Sequence, residues 1–334
     1  MTARDITRDE WLQLRTQSIG ASEAAAACGE DPSVSPLELV CRKRGLIPDE
    51  DLSSVESIQW GNILEPAIVR ESARRAGVRL LDRHEIERAL GGDERTELVG
   101  FVEGAHPFLR SRARPWQTAT LDGLGYEPGR GLVSIEAKNA GQYHAASWST
   151  EDERAPDKFR LQVAHQLAVA PMVSSGILAG LVGGNSLRSV RLERVQIAVV
   201  IDAMVLIEEG VWSCVQSGTM PELSGPPASV ARALKALHPD DTGKTIILPG
   251  AVAECVRTWR AACATKSRAE KDAELALNAI KAALGDATFG EMPDGSGTFS
   301  LKTTERGEYV APACKYRKPH FTKSKAPKSG AKKS

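Results

Sequence analysis

Asp122, Glu136 and Lys138 are the residues whose types and spacing best suit chemistry. Asp122 lies in Thr120-Leu121-Asp122-Gly123, and the other two lie in Leu132-Val133-Ser134-Ile135-Glu136-Ala137-Lys138. Leu132, Val133 and Ile135 form a β-prone run behind a turn rich in glycine, so Asp122 and Glu136 are expected to end adjacent strands. Side chains alternate along a strand, which turns Glu136 and Lys138 to one face. Two carboxylates and an ammonium that do not simply neutralise one another suit a third party, a hydrated cation with a phosphate. Mg2+ fits such a set because it takes oxygen ligands, one or two carboxylates completed by water and substrate phosphate. There it can generate hydroxide and stabilise a leaving oxygen. The same spacing also fits a surface strand with a Glu–Lys pair and a turn aspartate.

Other candidates are spread along the chain. Gly20-Ala21-Ser22-Glu23 leads into an alanine run, which makes Ser22 an expected helix N-cap. Free N–H groups there, with the Ser22 hydroxyl and Arg15, could hold a phosphate, although a plain cap beside a surface arginine accounts for the same residues. Glu65 precedes Pro66 inside a helical segment from about Ser57 to Ala76. A bend at the proline would aim Glu65 inward, whereas two shorter helices would leave it a solvated cap. Gln162 and Gln166 share one face of a helix that runs from Pro156 through Val169. His165 on that helix reads as a packed or surface histidine, with no catalytic role assigned.

The 334 residues, 42% hydrophobic and 26% charged, suffice for a large core in one or two domains. The formal net charge of +0 lacks the basic excess of many nucleic-acid binders, so any DNA-binding charge must be local. Six cysteines without C-x-x-C spacing argue against a zinc ribbon, a cluster clamp or a disulfide framework. A charged N-terminus with no apolar run behind it, and no stretch long enough for a bilayer, point to a soluble cytosolic protein.

Elements that must position the candidates follow from periodicity. Thr7-Arg8-Asp9-Glu10 opens a short helix with Trp11 and Leu14, and Ser35-Pro36-Leu37-Glu38 opens another that closes on Arg42-Lys43-Arg44-Gly45. Strands are expected at Val78–Leu81, Leu98–Val102, Gly176–Val182 and Leu187–Val195, and a helix over about Asp202 to Gln216. The order gives an α/β (α+β) class with a mixed sheet flanked by helices. Prolines at 221, 226 and 227 mark 218–229 as a linker between a domain at 1–217 and an extension at 230–314. That extension should hold a strand at Thr245–Leu248, a long helix from about Ala251 to Leu284, and a hairpin through Pro293-Asp294-Gly295-Ser296-Gly297. From Lys315 a basic tail at 315–334, including Lys323, Lys325 and Lys328, reads as disordered and suited to phosphate backbones.

Taken together, the blocks resemble the YqaJ-type viral recombinase family, phage lambda exonuclease-like members of the PD-(D/E)XK nuclease superfamily. The blocks are Arg15 with Ile19-Gly20-Ala21-Ser22-Glu23, Ser35-Pro36-Leu37-Glu38-Leu39, Trp60-Gly61-Asn62-Ile63-Leu64-Glu65-Pro66, Thr120-Leu121-Asp122-Gly123, Glu136-Ala137-Lys138 and Gln162-Val163-Ala164-His165-Gln166. They recur in the family's order over roughly residues 11 to 215. Leu121 departs from the proline of the superfamily name, at a turn position that binds no metal.

The resemblance implies a restriction-endonuclease-like core and an exonuclease that degrades the 5′ strand of linear double-stranded DNA, leaving 3′ single strands for recombination by strand annealing. Asp122, Glu136, the Ala137 carbonyl and Glu65 would hold Mg2+, for which Mn2+ could substitute. Lys138 would orient or deprotonate the attacking water, Gln162 would position the motif, and Arg15 with Ser22 would take a 5′-phosphate. Implied partners are double-stranded DNA ends, a phage single-strand annealing protein and further copies in a ring, a trimer among the sizes, with no membrane and in a bacterial cytoplasm. A structure- or sequence-specific endonuclease of the same superfamily and a catalytically silent DNA-binding protein remain alternatives.

Overall fold

The structure, a computed structural model, describes residues 3–48, 54–308, 313, 317 and 319. The chain divides after Pro239 into two compact units. The first opens with β1 (Asp5–Ile6) and α1 (Arg8–Thr16), which Thr7 caps by accepting a hydrogen bond from the Glu10 N–H. β2 (Ile19–Gly20), a 3-10 turn at Ala21–Glu23 and the four-residue α2 (Ala24–Ala27) follow. Ser35 caps α3 (Pro36–Lys43), with Pro36 at the first position, where its missing N–H costs nothing.

α4 (Glu56–Ala76) is one helix that continues through Pro66. The proline removes only the N–H that would bond the Asn62 carbonyl. Packing of Ile68, Val69 and Ala73 anchors the half that follows it. The helix ends at Gly77, whose φ of +69° is the left-handed cap conformation that glycine adopts without strain. β3 (Arg79–Leu80), α5 (Arg83–Leu90), β4 (Thr96–Val102), β5 (His106–Ser111), β6 (Gln117–Thr120) and β7 (Gly123–Glu127) come next. β8 (Gly131–Ala140), α6 (Asp157–Val169), β9 (Val173–Val182), β10 (Ser186–Glu193), α7 (Ala198–Ser217) and α8 (Pro227–Leu237) complete the unit.

The class is the α/β expected, but the strands pair as two five-stranded sheets and not as one. Their orders are β1-β4-β5-β6-β2 and β10-β9-β8-β7-β3. The chain crosses from the first sheet to the second at Leu121-Asp122, between β6 and β7. β7 and β8 form an antiparallel hairpin, whereas β8 and β9 are parallel and are joined through α6. A parallel pair needs such a crossover, and α6 supplies it. Val133, Ile135 and Ala137 of β8 pack with α4. Leu178 and Val182 of β9 pack with Val163 and Leu167 of α6. Each such fully buried Val or Leu contributes roughly 1.5–3 kcal/mol. Glu136 and Lys138 alternate with the α4-facing set and therefore turn toward α6.

Pro226 and Pro227, expected in a linker, instead start α8. That helix packs Ala233 against Leu37 and Cys41 of α3, and its Ser229 hydroxyl bonds the Glu38 carboxylate at 2.5 Å. The first unit thus extends past the boundary read at 218–229, because proline at a helix start and proline in a linker look alike in sequence. In the second unit, α9 (Gly250–Leu284) is followed by the hairpin β11 (Phe289–Glu291) and β12 (Thr298–Ser300), turning through Gly295. Thr245–Leu248 is not a strand; none of the described residues pairs with it. The expected basic tail lies outside the described residues apart from Arg317 and Pro319. Among the described residues, no helix is long and apolar enough to cross a membrane.

Candidate active site

Arg15, Ser22, Glu65, Asp122, Glu136, Ala137, Lys138 and Gln162, all singled out in the sequence, line one cavity of about 620 Å³. The crossing between the sheets puts Asp122 just before β7, and the β7–β8 register pairs Gly123 with Ile135, which sets Asp122 beside Glu136. Gly123 is needed there, since a Cβ would stand 2.7 Å from Val69 of α4. An Asp122 carboxylate oxygen accepts the Ala137 N–H at 2.8 Å. A strand residue directs N–H and C=O to the same edge, so the Ala137 carbonyl also opens on the Asp122 side, beyond the last pair with β7.

Glu136 is 1% exposed and is gripped from three directions. Lys138 Nζ donates to its Oε1 at 2.5 Å, Gln162 Nε2 donates to the same oxygen at 2.6 Å, and Gln166 Nε2 donates to Oε2 at 2.5 Å. One turn of α6 thus supplies an amide for each carboxylate oxygen. Gln166, whose role the sequence left open, completes the pair. Lys138 also lies 5.0 Å from the centre of the Phe159 ring.

Glu65 comes from α4, one residue before Pro66, and its carboxylate lies 3.6 Å from His106 Nδ1. Glu65, His106 and Asp122 bring one potential ligand atom each to within 4.8 Å of one another. His106 was missed in the sequence. It is the first residue of β5, lies in no motif, and meets Glu65 only through the pairing of β5 with its neighbours.

Burial, and then the Glu136 and Glu65 carboxylates, push the Asp122 carboxyl well above the usual carboxylate range. Glu65 is raised too, by burial first and by Glu136, against the pull of His106 and Lys138. Burial alone would depress Lys138, but Glu136, Asp122 and Glu65 outweigh it and raise its pKa. Lys138 is therefore held as a cation. Three carboxylates converging with only part of their charge offset is the electrostatic situation a divalent cation relieves. The donors are hard oxygens with one imidazole. The residues present fit a divalent metal.

Elsewhere in the cavity lining, Arg15 Nη2 donates to Ser22 Oγ at 3.0 Å, and the guanidinium stacks 4.7 Å from the Trp11 ring centre. Trp11 Nε1 in turn donates to Thr120 Oγ1 at 3.0 Å, tying this wall to the β6 end beside Asp122. The expected N-cap at Ser22 is not formed. Ser22 sits inside the 3-10 turn, and the Glu23 carboxylate reaches back to the Gly20 N–H at 2.8 Å. Burial works against the Glu23 charge, but Lys43 at 2.8 Å and Arg15 at 3.5 Å hold it ionised, with a lowered pKa. With α2 only four residues long, any anion at this wall would rest on Arg15 and Ser22 themselves.

Behind the site, His165 is fully buried. Its Nε2 donates to the Thr118 carbonyl at 2.9 Å and its Nδ1 lies 2.7 Å from Glu208 Oε1, while Gln117 Nε2 donates to Glu208 Oε2 at 2.7 Å. The packed reading of His165 is the one realised.

A central α6 crossing to a parallel strand, with Asp122 just before the preceding hairpin and E-A-K on it, is the arrangement that the sequence resemblance implied. Residues 10–173 match the model of the YqaJ-like viral recombinase domain. The uncharacterized protein YqaJ of Bacillus subtilis strain 168 is 27% identical over 288 residues, covering 86% of this chain and 81% of that protein. Among solved structures, an alkaline exonuclease (LHK-Exo) from Laribacter hongkongensis is 16% identical, with a TM-score of 0.44 over 63% of this chain and 93% of that one. LHK-Exo in complex with dAMP gives 15% identity and the same TM-score of 0.44, over 63% of this chain and 95% of that one. The motifs gathered in one cavity and the match of residues 10–173 to that model together support the YqaJ-type family for that stretch of the chain.

Proposed function

We propose that the chain is a divalent-metal-dependent exonuclease, with Mg2+ as its ion, that degrades the 5′ strand of linear double-stranded DNA and leaves 3′ single strands for recombination by annealing. The observation that carries this reading is the convergence of Asp122, Glu136 and Glu65 with the Lys138 cation in one cavity. A phosphodiester brought against three carboxylates would be repelled, so a cation must accompany it. Asp122, Glu136, the Ala137 carbonyl and Glu65 would hold that cation, and His106 stands beside them as a further ligand. When bound, the metal supplies a hydroxide nucleophile near neutral pH and polarises the scissile phosphate.

The chain's own residues divide the remaining work. Gln162 and Gln166 fix both oxygens of Glu136, so the carboxylate keeps its aim without reorganising. Lys138, held protonated by its acidic neighbours, serves as a cation toward the charge that develops on phosphate oxygens and is poorly suited to act as a base. Arg15 and Ser22 would receive the terminal 5′-phosphate. The reading includes a homo-oligomeric ring around DNA and a phage annealing protein as partner. Linear duplex labelled at the 5′ or the 3′ end, incubated with Mg2+ or with EDTA, tests it. Early release of the 5′ label in Mg2+ alone is expected. Cutting of covalently closed circles would replace the exonuclease with an endonuclease, and binding without cleavage would leave a silent DNA-binding protein.

A further inference from the structure

We propose that α9 pairs with α9 of a second copy of this chain as an antiparallel two-stranded coiled coil. The helix has 35 residues, about 52 Å at 1.5 Å per residue, and none of them is buried. A helix of that length left to water needs either strong local pairing or a partner along its apolar stripe. Its sequence carries such a stripe with a strict alternation of four and three residues. One half holds Val252, Val256, Trp259 and Cys263, and the other holds Ala273, Leu277, Ile280 and Leu284. Lys266 and Glu270 occupy the two seam positions between them. This spacing is the heptad repeat, sustained over more than four heptads, that winds two helices together rather than laying one helix on a globular surface. Trp259 is 41%, Leu277 36% and Ile280 37% exposed, which is the area the pairing would cover.

The charged centre selects the partner and the direction. In a parallel pair, like positions face each other, so Lys266 would meet Lys266 of the second copy and Glu270 would meet Glu270. In an antiparallel pair centred between these two residues, each Lys266 meets a Glu270 of the second copy. The same register sets Cys263 level with Ala273 and Trp259 level with Leu277, so every remaining seam layer is apolar. Ala262, Ala269, Ala276 and Ala283 recur every seven residues along one flank and let the two backbones approach closely. Within one chain Lys266 Nζ lies 3.7 Å from a Glu270 carboxylate oxygen, and both side chains are exposed on the seam. Charge complementarity of this kind is what sets register and orientation in coiled coils. The inference is independent of the nuclease reading.

The full-length chain tests it by sedimentation equilibrium. K266E sets carboxylates against carboxylates in both central layers and is expected to weaken dimerisation at least ~10-fold. The double variant K266E/E270K restores opposite charges and is expected to recover wild-type association. A parallel pair would instead be indifferent to either change. Ala273→Cys supplies an independent readout: mild oxidation should link Cys263 of one copy to the introduced thiol of the other, located by peptide mass spectrometry. Cys263 should not link to Cys263, since the register separates them by roughly 15 Å along the axis, beyond disulfide reach. Association unchanged by K266E, failure of the double variant to recover it, or a Cys263–Cys263 link in the wild type would each overturn the proposal.

Discussion

Replacing His165 with alanine is expected to cost far more stability than replacing its partner Glu208 with glutamine. Both ring nitrogens of His165 face oxygen acceptors, the Thr118 carbonyl and the Glu208 carboxylate. Each of these contacts is a hydrogen bond that the substitutions keep or remove. Glu208→Gln leaves every group satisfied: a neutral His165 keeps its Nε2–H on Thr118 and accepts at Nδ1 from the new amide, whose oxygen still accepts from Gln117. Its cost should stay within about 1 kcal/mol. His165→Ala strands a fully buried carboxylate and leaves the Thr118 carbonyl bare, for a loss of about 3–5 kcal/mol. For a unit of this size that lowers the melting midpoint by roughly 6–20 °C, against ~2–4 °C for the glutamine. Thermal melts of both variants at neutral pH measure the difference. Because α6 also carries Gln162 and Gln166, the alanine variant should lose cleavage rate as well, by loosening the grip on Glu136. Equal destabilisation by the two substitutions would refute this accounting of the hydrogen bonds.

The remaining predictions concern the cavity. In EDTA, the raised pKa values of Asp122 and Glu65 mean that the folded protein holds protons the unfolded chain has released. Their contribution is therefore full below the usual carboxylate range and is lost as pH rises through the elevated folded values. Asp122→Asn should accordingly raise the metal-free melting temperature at neutral pH, while abolishing both cleavage and the stabilisation by Mg2+, which at 100 Kd amounts to about 2.7 kcal/mol; a variant less stable than wild type in EDTA at pH 7 would count against the repulsion. Lys138→Ala should lower the cleavage rate at least ~100-fold while changing DNA affinity little, because its charge acts mainly on the transition state; equal losses in both, by rate and gel-shift measurements, would make it an ordinary phosphate contact. Arg15→Ala should erase a preference for 5′-phosphorylated over 5′-hydroxyl duplex ends, measured as relative initial rates, and a retained preference would remove Arg15 from phosphate binding.

What the sequence made legible was local. Strand alternation and a glycine turn were enough to place Asp122, Glu136 and Lys138 together, because the hairpin β7–β8 joins residues near in the chain. The proline before Asp157 and the helical spacing of Gln162 and Gln166 were likewise readable. His106 was not, since its approach to Glu65 depends on the pairing of β5 with strands on either side and on the placement of α4. Ser22 failed as a cap because it lies inside the Ala21–Glu23 turn and its hydroxyl accepts from Arg15 of α1, a contact that the local sequence does not show. The division into two sheets turns on a crossing at Leu121 that leaves no mark in hydrophobic pattern. Pro227 begins a helix whose docking on α3 rests on the buried Glu38, which reads from sequence only as a first-turn acid.

Titration of Mn2+ into the metal-free protein, followed by the loss of its free electron-spin signal, tests the central claim without requiring any substrate. Saturable binding by the wild type that is weakened or lost in both Asp122→Asn and Glu136→Gln, with melting curves showing both variants folded, is the predicted result. Wild-type binding retained in full by both variants would place the metal elsewhere and contradict the account.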